Sequence, residues 1–528
     1  MADEHSTSRL YKLKPLTDRL PAVKRPEGHV HFRTKLLWVI LMLVFYFVMT
    51  NVYLYGLDQE NVIDLFGPYR AILAGAQGSL MHLGIGPIVT ASIIMQLFVG
   101  AKIIKLDLTN DEDKAVYQGT QKFLVIVMIL VESIPQVFGY LVPSDALVTG
   151  LDSVMGATGA FSGENIARSI IIIQLFLGSY LVFLMDEVVS KWGIGSGISL
   201  FIAAGVAQAI FTGTVNWNPV DGSLPVSTSN PPAGTIPRTI FYLLNVPSST
   251  MASGGYESLL LQPPNPIIAL VGTIIIFLFV AYVESSRIEL PLAHGTARGA
   301  RGRYPIKLLY ASNIPVILMA AVLANISMFA LLFYTNPTLQ QVPILGHNPW
   351  LGYFTAESGS SPAGGLAWYL STPNGLAGWL LPMLNPEQYS DMVFGHSSLQ
   401  ILIRVLAYTG VMIGGSIMFA KFWIMTTNMG PEAVARQIEN SGLQIPGFRR
   451  DPRVLKRVLE RYIPVVTVIS GALVGGLAAG ADLIGTVGNA SGTGVLLAVG
   501  ILIQFYEALG REQMMEMHPM LRGFFGGE

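Results

Sequence analysis

Ten stretches of roughly twenty predominantly apolar residues, the length needed to cross a bilayer as a helix, run through this chain. They lie at about 35–55, 80–103, 121–142, 167–187, 194–213, 264–284, 308–334, 398–427, 462–481 and 491–509. A polypeptide that repeats this pattern cannot hide it in a water-soluble core. Only 12% of its 528 residues are charged, against about 25% in ordinary soluble domains. The expected fold class is therefore an all-α polytopic membrane protein with ten transmembrane helices. Zero cysteines exclude disulfides, thiol catalysis, iron–sulfur clusters and Cys-ligated zinc. A net charge of −1 offers nothing to nucleic acid as a bulk partner. The first apolar run follows a polar, basic stretch and is too long, with no small-residue cleavage site, to read as a cleaved signal peptide.

Charge sets the expected orientation. Lys and Arg concentrate in cytoplasmic loops, and ten spans put both termini on one side. If that side is cytoplasmic, only Arg70, Arg168, Arg238 and Arg404 fall outside or near the outer ends of spans. The long loops 214–263 and 335–397 share one basic residue, Arg238. They are rich in Pro, Gly, Ser and Asn and read as irregular water-exposed connections. Loop 285–307 instead carries Arg287, Arg298, Arg301, Arg303 and Lys307. Loop 428–461 carries Arg436, Arg449, Arg450, Arg453, Lys456, Arg457 and Arg461. The loop after the fifth span divides the chain into two five-span halves that enter the membrane from opposite sides, a geometry that permits an inverted repeat.

Ionisable residues inside spans mark function by default, and here they are few. Glu132 is the clearest intramembrane carboxylate, with Asp186, Glu187, Glu284 and Glu507 at span ends. No HExxH, Walker-type loop or nucleophile–base spacing stands out. The His29–His31 pair lacks companion ligands for a metal, and GIGSG (193–197) lacks the strand–helix setting of a nucleotide loop. No catalytic residue, metal or cofactor is expected.

What does stand out is glycine beside isoleucine at two span mouths, in HLGIGPIVTASIIMQL (82–97) and KWGIGSGISLFIAAGV (191–206). Ile85 and Val89, and likewise Ile194 and Ile198, are four apart and share a helical face. Such spacing fits small-residue helix packing as well as a functional surface. Before the second span, LFGPYRAILAGAQGSLM (65–81) is too short and too broken by glycine to cross alone. It reads as an outer amphipathic segment or a re-entrant half-helix.

These motifs, with RYPIKLLYASNIPVIL (303–318) and SGTGVLLAVGILIQFYEAL (491–509), closely resemble the SecY/Sec-alpha protein-conducting channel family. The wording is similar to its archaeal branch, as is the ending REQMMEMHPML (511–521). The resemblance runs from about residue 10 to 521. It implies a cytosolic segment 1–34, a first half 35–213, an external hinge loop 214–263, a second half 264–509 and a cytosolic tail 510–528. The halves would form a clamshell around an hourglass pore that passes unfolded secretory chains and releases membrane helices sideways into lipid.

Residue by residue, the resemblance places the pore ring at Ile85, Val89, Ile194, Ile198, Ile317 and Leu497. It places a plug at about 66–80, including Pro68, Tyr69, Arg70, Ala71, Ile72, Leu73 and Ala74. It places a lateral gate between spans two and three and spans seven and eight, with polar residues Thr90, Glu132 and Asn325 and with Gln96 further in. Cytosolic docking for the ribosome and its RNA falls on loops 285–307 and 428–461, at Arg298, Arg301, Arg303, Arg449 and Arg450. Implied partners are SecE and small beta-type subunits, the ribosome, signal sequences, nascent chains and membrane lipids. The implied location is the cell membrane, multi-pass, with both termini cytoplasmic.

Physical chemistry is consistent with that picture. A conduit for any unfolded chain should bind no particular side chain, and a narrow apolar ring excludes ions because dehydrating them there is costly. Glu132 should face the interior and pair with Thr90 or Asn325. The arginine clusters suit phosphate, although the positive-inside rule and anionic headgroups also draw basic residues to such loops. The sequence-level alternatives are a secondary transporter, which would need a midplane charge site, and an intramembrane enzyme, which would need a nucleophile or metal group.

Overall fold

The computed structural model describes residues 9–58, 70–101, 103–104, 106, 110–155, 162–220, 224–294, 301–335, 339–341, 344–355, 361–427, 429–440, 443–444, 452–488 and 490–517. Among these, nine helices are long and apolar enough to cross a membrane. They are Phe32–Asn51, Asp111–Gly139, Gly163–Trp192, Gly197–Val215, Ile267–Ser285, Ile314–Thr335, Ser398–Thr426, Pro452–Ile484 and Gly492–Met517. The fifteen-residue apolar helix Gly86–Gly100 lies between the first two of these. With it as the second, the spans are numbered one to ten in chain order. The apolar windows located these helices, but several helices outrun them. Span three begins at Asp111, where the Asn110 side chain accepts the Glu112 N–H at 3.1 Å and so satisfies an otherwise orphaned first-turn donor. Span nine, at 33 residues, is about 50 Å long, more than the roughly 30 Å hydrocarbon thickness. Its extra turns at the 452 end pack Leu455, Leu459 and Ile463 against Val434, Ala435 and Ile438 of helix Pro431–Asn440.

The spans differ in how deeply they sit. Span one has 22% of its apolar window buried and span seven 67%, so span seven runs through the centre and span one at the edge. Span seven packs against spans two, three, eight and nine. Spans eight and nine lie closest to each other, because glycine brings their backbones together: a Cβ on Gly475 would fall 2.7 Å from Met412 O. Exposed Val271, Ile274, Ile275 and Leu278 on span six give it an apolar outer surface that only lipid or another apolar partner can cover.

Loop 285–307 departs from the all-helical pattern. It forms two strands, β1 (Arg287–His294) and β2 (Arg301–Lys307), paired antiparallel with Arg287 opposite Lys307 and Leu290 opposite Tyr304. A short strand β3 (Leu443–Gln444) from the second basic loop adds to β1, with Ala293 opposite Gln444. The two basic loops are thus joined through one small sheet of order β2-β1-β3. The long loops 214–263 and 335–397, read as irregular, contain short helices such as Thr235–Asn245 and Gly365–Leu370. A cavity of about 850 Å3 opens among them and the adjoining ends of spans five, six, nine and ten.

Candidate functional site

The glycine–isoleucine motif at 82–97 turns the chain from the 70–80 segment into span two. A single helical turn, Arg70–Leu73, ends at Ala74, whose φ is +51°. The chain doubles back: Gly75 N–H donates to Arg70 O at 3.0 Å, Ala76 N–H to Met81 O at 3.0 Å, and Ile85 N–H to Leu73 O at 2.8 Å. The return is anchored on the end of span one, where Leu80 N–H donates to Val52 O and Leu54 N–H to Gly78 O, both at 2.9 Å. Gly84 makes this path possible. Its φ is +54°, and a Cβ there would lie 2.1 Å from Leu73 O.

The Arg70–Leu73 turn packs against spans five, seven and ten, which carry Ile198, Ile317 and Leu497. Ile72 is buried, and Cγ1 of its side chain is 3.7 Å from where a Cβ on Gly494 would stand, one turn before Leu497. Ile85, Val89, Ile194, Ile317 and Leu497 are buried in the same continuous apolar core as Ile72, and half-buried Ile198 packs on it. Ile198 is set by Asp186, whose carboxylate accepts the Ile198 N–H at 2.9 Å. Ile317 N–H donates to Asn313 O at 3.3 Å in the first turn of span seven. Of the other residues expected in the plug, Ala74 is fully buried and Leu73 half-buried, Ala71 lies on the helical turn, and Pro68 and Tyr69 lie outside the described residues.

Three of the four expected gate residues meet. Thr90 Oγ1 lies 2.8 Å from Glu132 Oε1 and 2.9 Å from Gly86 O, while Asn325 Nδ2 donates to Thr90 Oγ1 at 3.3 Å. Spans two, three and seven are thereby linked at one point. Gln96 is buried but not part of this cluster, and its Oε1 has no hydrogen-bond partner among the described residues. Sequence reasoning missed a neighbouring chain of contacts. Gly78 N–H donates to His82 Nδ1 at 3.0 Å, His82 Nε2 lies 3.1 Å from Tyr140 Oη, Tyr140 donates to Gln136 Oε1 at 2.7 Å, and Gln136 Nε2 reaches Met328 Sδ at 3.5 Å. Gln136 stands four residues after Glu132 on the same face of span three, so helical periodicity could have found it. A cavity of about 20 Å3, room for about one water, touches both networks, lined in part by Arg70, His82, Thr90, Glu132, Gln136 and Asn325.

The expected docking arginines are reached only in part. Arg301 and Arg303 occupy β2, opposite Ala293 and Pro291, whereas Arg298, Arg449 and Arg450 lie outside the described residues.

Comparison with known proteins gives this geometry its context. The family described as SecY matches residues 79–506, and the plug domain of Sec61p matches residues 44–78. The chain belongs to the SecY family. Among its relatives, the protein translocase subunit SecY of Archaeoglobus fulgidus is 45% identical, with 98% of each chain covered. That of Methanocaldococcus jannaschii is 39% identical over 97% of this chain and 98% of the relative. A solved structure described as that of a protein conducting channel superposes with a TM-score of 0.73 at 38% identity, covering 96% of this chain and 98% of the other. Sec61 in a canine ribosome-channel complex from the endoplasmic reticulum superposes at 0.70, with the same identity and coverage. This SecY-family chain is therefore a multi-pass membrane protein.

Proposed function

We propose that this chain is the channel-forming subunit of a protein translocation complex in the cell membrane, with both termini cytoplasmic. Unfolded secretory chains cross at the waist marked by Ile85, Val89, Ile194, Ile198, Ile317 and Leu497, and the segment from about 66 to 80 closes that waist when it is idle. Apolar segments leave sideways where span two, with span three, meets spans seven and eight. The observation that carries this reading is the seating of the Arg70–Leu73 turn among spans five, seven and ten beside Ile85. The side chains packed around Ile72 of that turn are apolar, and such a surface neither retains a passing peptide nor solvates an ion. The loop after span five joins two halves, 35–213 and 264–509, that move against each other.

The chain supplies no chemical step: its task is a gated path, and the driving energy comes from partners. Named relatives are translocase subunits, and one similar structure is of a channel bound to a ribosome, which supports a ribosome docking on loops 285–307 and 428–461 through Arg298, Arg301, Arg303, Arg449 and Arg450. The sheet joining these loops gives such a partner a single platform. SecE and small beta-type subunits complete the complex against the exposed apolar spans.

Asparagine in place of Ile85, Ile198 or Ile317 tests the waist. Each variant, reconstituted in planar bilayers, is expected to raise resting ion conductance and to admit substrates with weakened signals. Wild-type conductance and selectivity in all three would remove these residues from the ring.

A further inference from the structure

Helix Thr235–Asn245 (TIPRTIFYLLN) in the loop between spans five and six has two faces of opposite character. Thr235, Arg238 and Tyr242 are buried, whereas Ile236, Ile240, Leu243 and Leu244 are 45%, 39%, 69% and 77% exposed. The four exposed residues recur at helical spacing and form one apolar stripe about 100° wide. We propose that this stripe lies in the lipid of the adjoining leaflet, so that the helix rests in the membrane interface and anchors the connection between the two halves.

Three observations favour lipid over another occupant. First, the helix starts at the level where the spans end. Gly234 N–H donates to Asn216 O, directly beyond span five, at 2.9 Å, and Thr235 Oγ1 donates to Asn265 O, two residues before span six, at 3.0 Å. Second, the helix is continuous with an exposed apolar surface. Its inner residues Phe241 and Tyr242 share a small apolar cluster with Ile267, the first residue of span six, whose outward residues Val271, Ile274 and Ile275 are exposed and apolar. Exposed Trp217 and Tyr256 flank the same region, the residue types that gather at membrane–water boundaries. Third, the helix is fixed as a rigid element. Its one charge, Arg238, points inward and donates to Pro264 O at 2.6 Å, Ser258 Oγ at 2.9 Å and Gln262 O at 3.3 Å. With no exposed Lys or Arg on the helix, its membrane contact is hydrophobic rather than a charge attraction to anionic headgroups.

The chain has no native cysteine, so a single introduced cysteine takes a nitroxide label at one site. Leu243→Cys, Leu244→Cys and, away from the stripe on the line of Arg238 but exposed at the helix end, Asn245→Cys are made in the full chain and reconstituted with its companion subunits into phosphatidylcholine vesicles. Relaxation enhancement by dissolved oxygen is then compared with that by a water-soluble nickel complex. Oxygen is expected to dominate at 243 and 244 by several-fold and the nickel complex at 245, with no change when a third of the lipid is phosphatidylglycerol. Equal nickel access at 243, 244 and 245 would place the stripe in water. Immobilised labels at 243 and 244 shielded from both reagents would mean that a protein partner covers it. A stripe that enters lipid only when phosphatidylglycerol is present would reveal an electrostatic attachment. Any of these three results overturns the proposal, and none depends on whether the chain translocates protein.

Discussion

Glu132 is a carboxylate that a membrane helix keeps only at some cost, and its setting shows how that cost is offset. It faces inward, 5% exposed, and accepts from Thr90 while Asn325 donates to the same hydroxyl. Contacts of this kind in membranes contribute roughly 0.6–2 kcal/mol each. In the lateral gate we propose, removing one would shift the closed–open equilibrium by roughly three- to thirty-fold. Glu132→Leu is therefore expected to let signals of lower hydrophobicity open the gate, measured as translocation of a substrate series with graded signal apolarity. Glu132→Gln, which keeps an acceptor for Thr90, should stay near wild type. An unchanged threshold in Glu132→Leu would make the cluster a static brace. That Glu132 turns inward was legible from the price of lipid exposure alone. Its partners Thr90 and Asn325 came from the family resemblance, since 42 and 235 residues separate the two members of each hydrogen bond and no local pattern spans such distances. The chain from His82 to Met328 stayed hidden for the same reason, apart from the Glu132–Gln136 spacing.

Elements were legible wherever hydrophobic length alone decides, and illegible where amphipathic or extended backbone begins. The windows placed each span, yet stopped short of the amphipathic first turns of span three and of the end of span nine that packs on helix Pro431–Asn440. Reading 285–307 by its charge concealed the strands within it. The start of span two moved inward, from 80 to Gly86, because residues 74–85 form a tight return held by hydrogen bonds rather than a helix. In Gly84→Ala, a Cβ meets Leu73 O at 2.1 Å and the left-handed φ of +54° becomes unfavourable. The Arg70–Leu73 turn must then move from its seat among spans five, seven and ten. The expected outcome is an assembled complex with raised resting conductance and faster protease cleavage within 66–80. Conductance at the wild-type level with intact assembly would mean that the turn does not seal the waist.

At the scale of the whole molecule, two consecutive-helix pairs far apart in the chain, spans four and five and spans nine and ten, share a device that composition did not reveal. In each pair, the second helix is fixed at its first turn by an aspartate near the end of the first. Asp186 of span four accepts the Ile198 N–H of span five, twelve residues on, and Asp482 of span nine accepts the Thr493 N–H of span ten, eleven residues on. The likeness lies in where a carboxylate meets a helix N-terminus and not in the surrounding side chains, so no local sequence pattern displays it. The two caps are unequal in what they hold. Asp482 is 4% exposed and also accepts from Thr493 Oγ1 at 2.5 Å and from Tyr408 Oη, on span eight, at 2.6 Å. It therefore ties three spans, whereas Asp186 ties two. Removing Asp482 breaks three buried hydrogen bonds, from Thr493 N–H, Thr493 Oγ1 and Tyr408 Oη, and a buried donor that loses its partner costs about 1–3 kcal/mol. Losing a simple helix cap costs about 1 kcal/mol. Asp482→Ala is thus expected to lower unfolding stability in detergent by about 3 kcal/mol or more, and Asp186→Ala by about 1 kcal/mol, read from denaturant titrations of the purified complex. Asp482→Asn, which can still accept from Tyr408 and Thr493, should recover much of the loss. Equal losses at the two positions would show that Asp482 holds its helices no more firmly than Asp186 does, with packing carrying the rest.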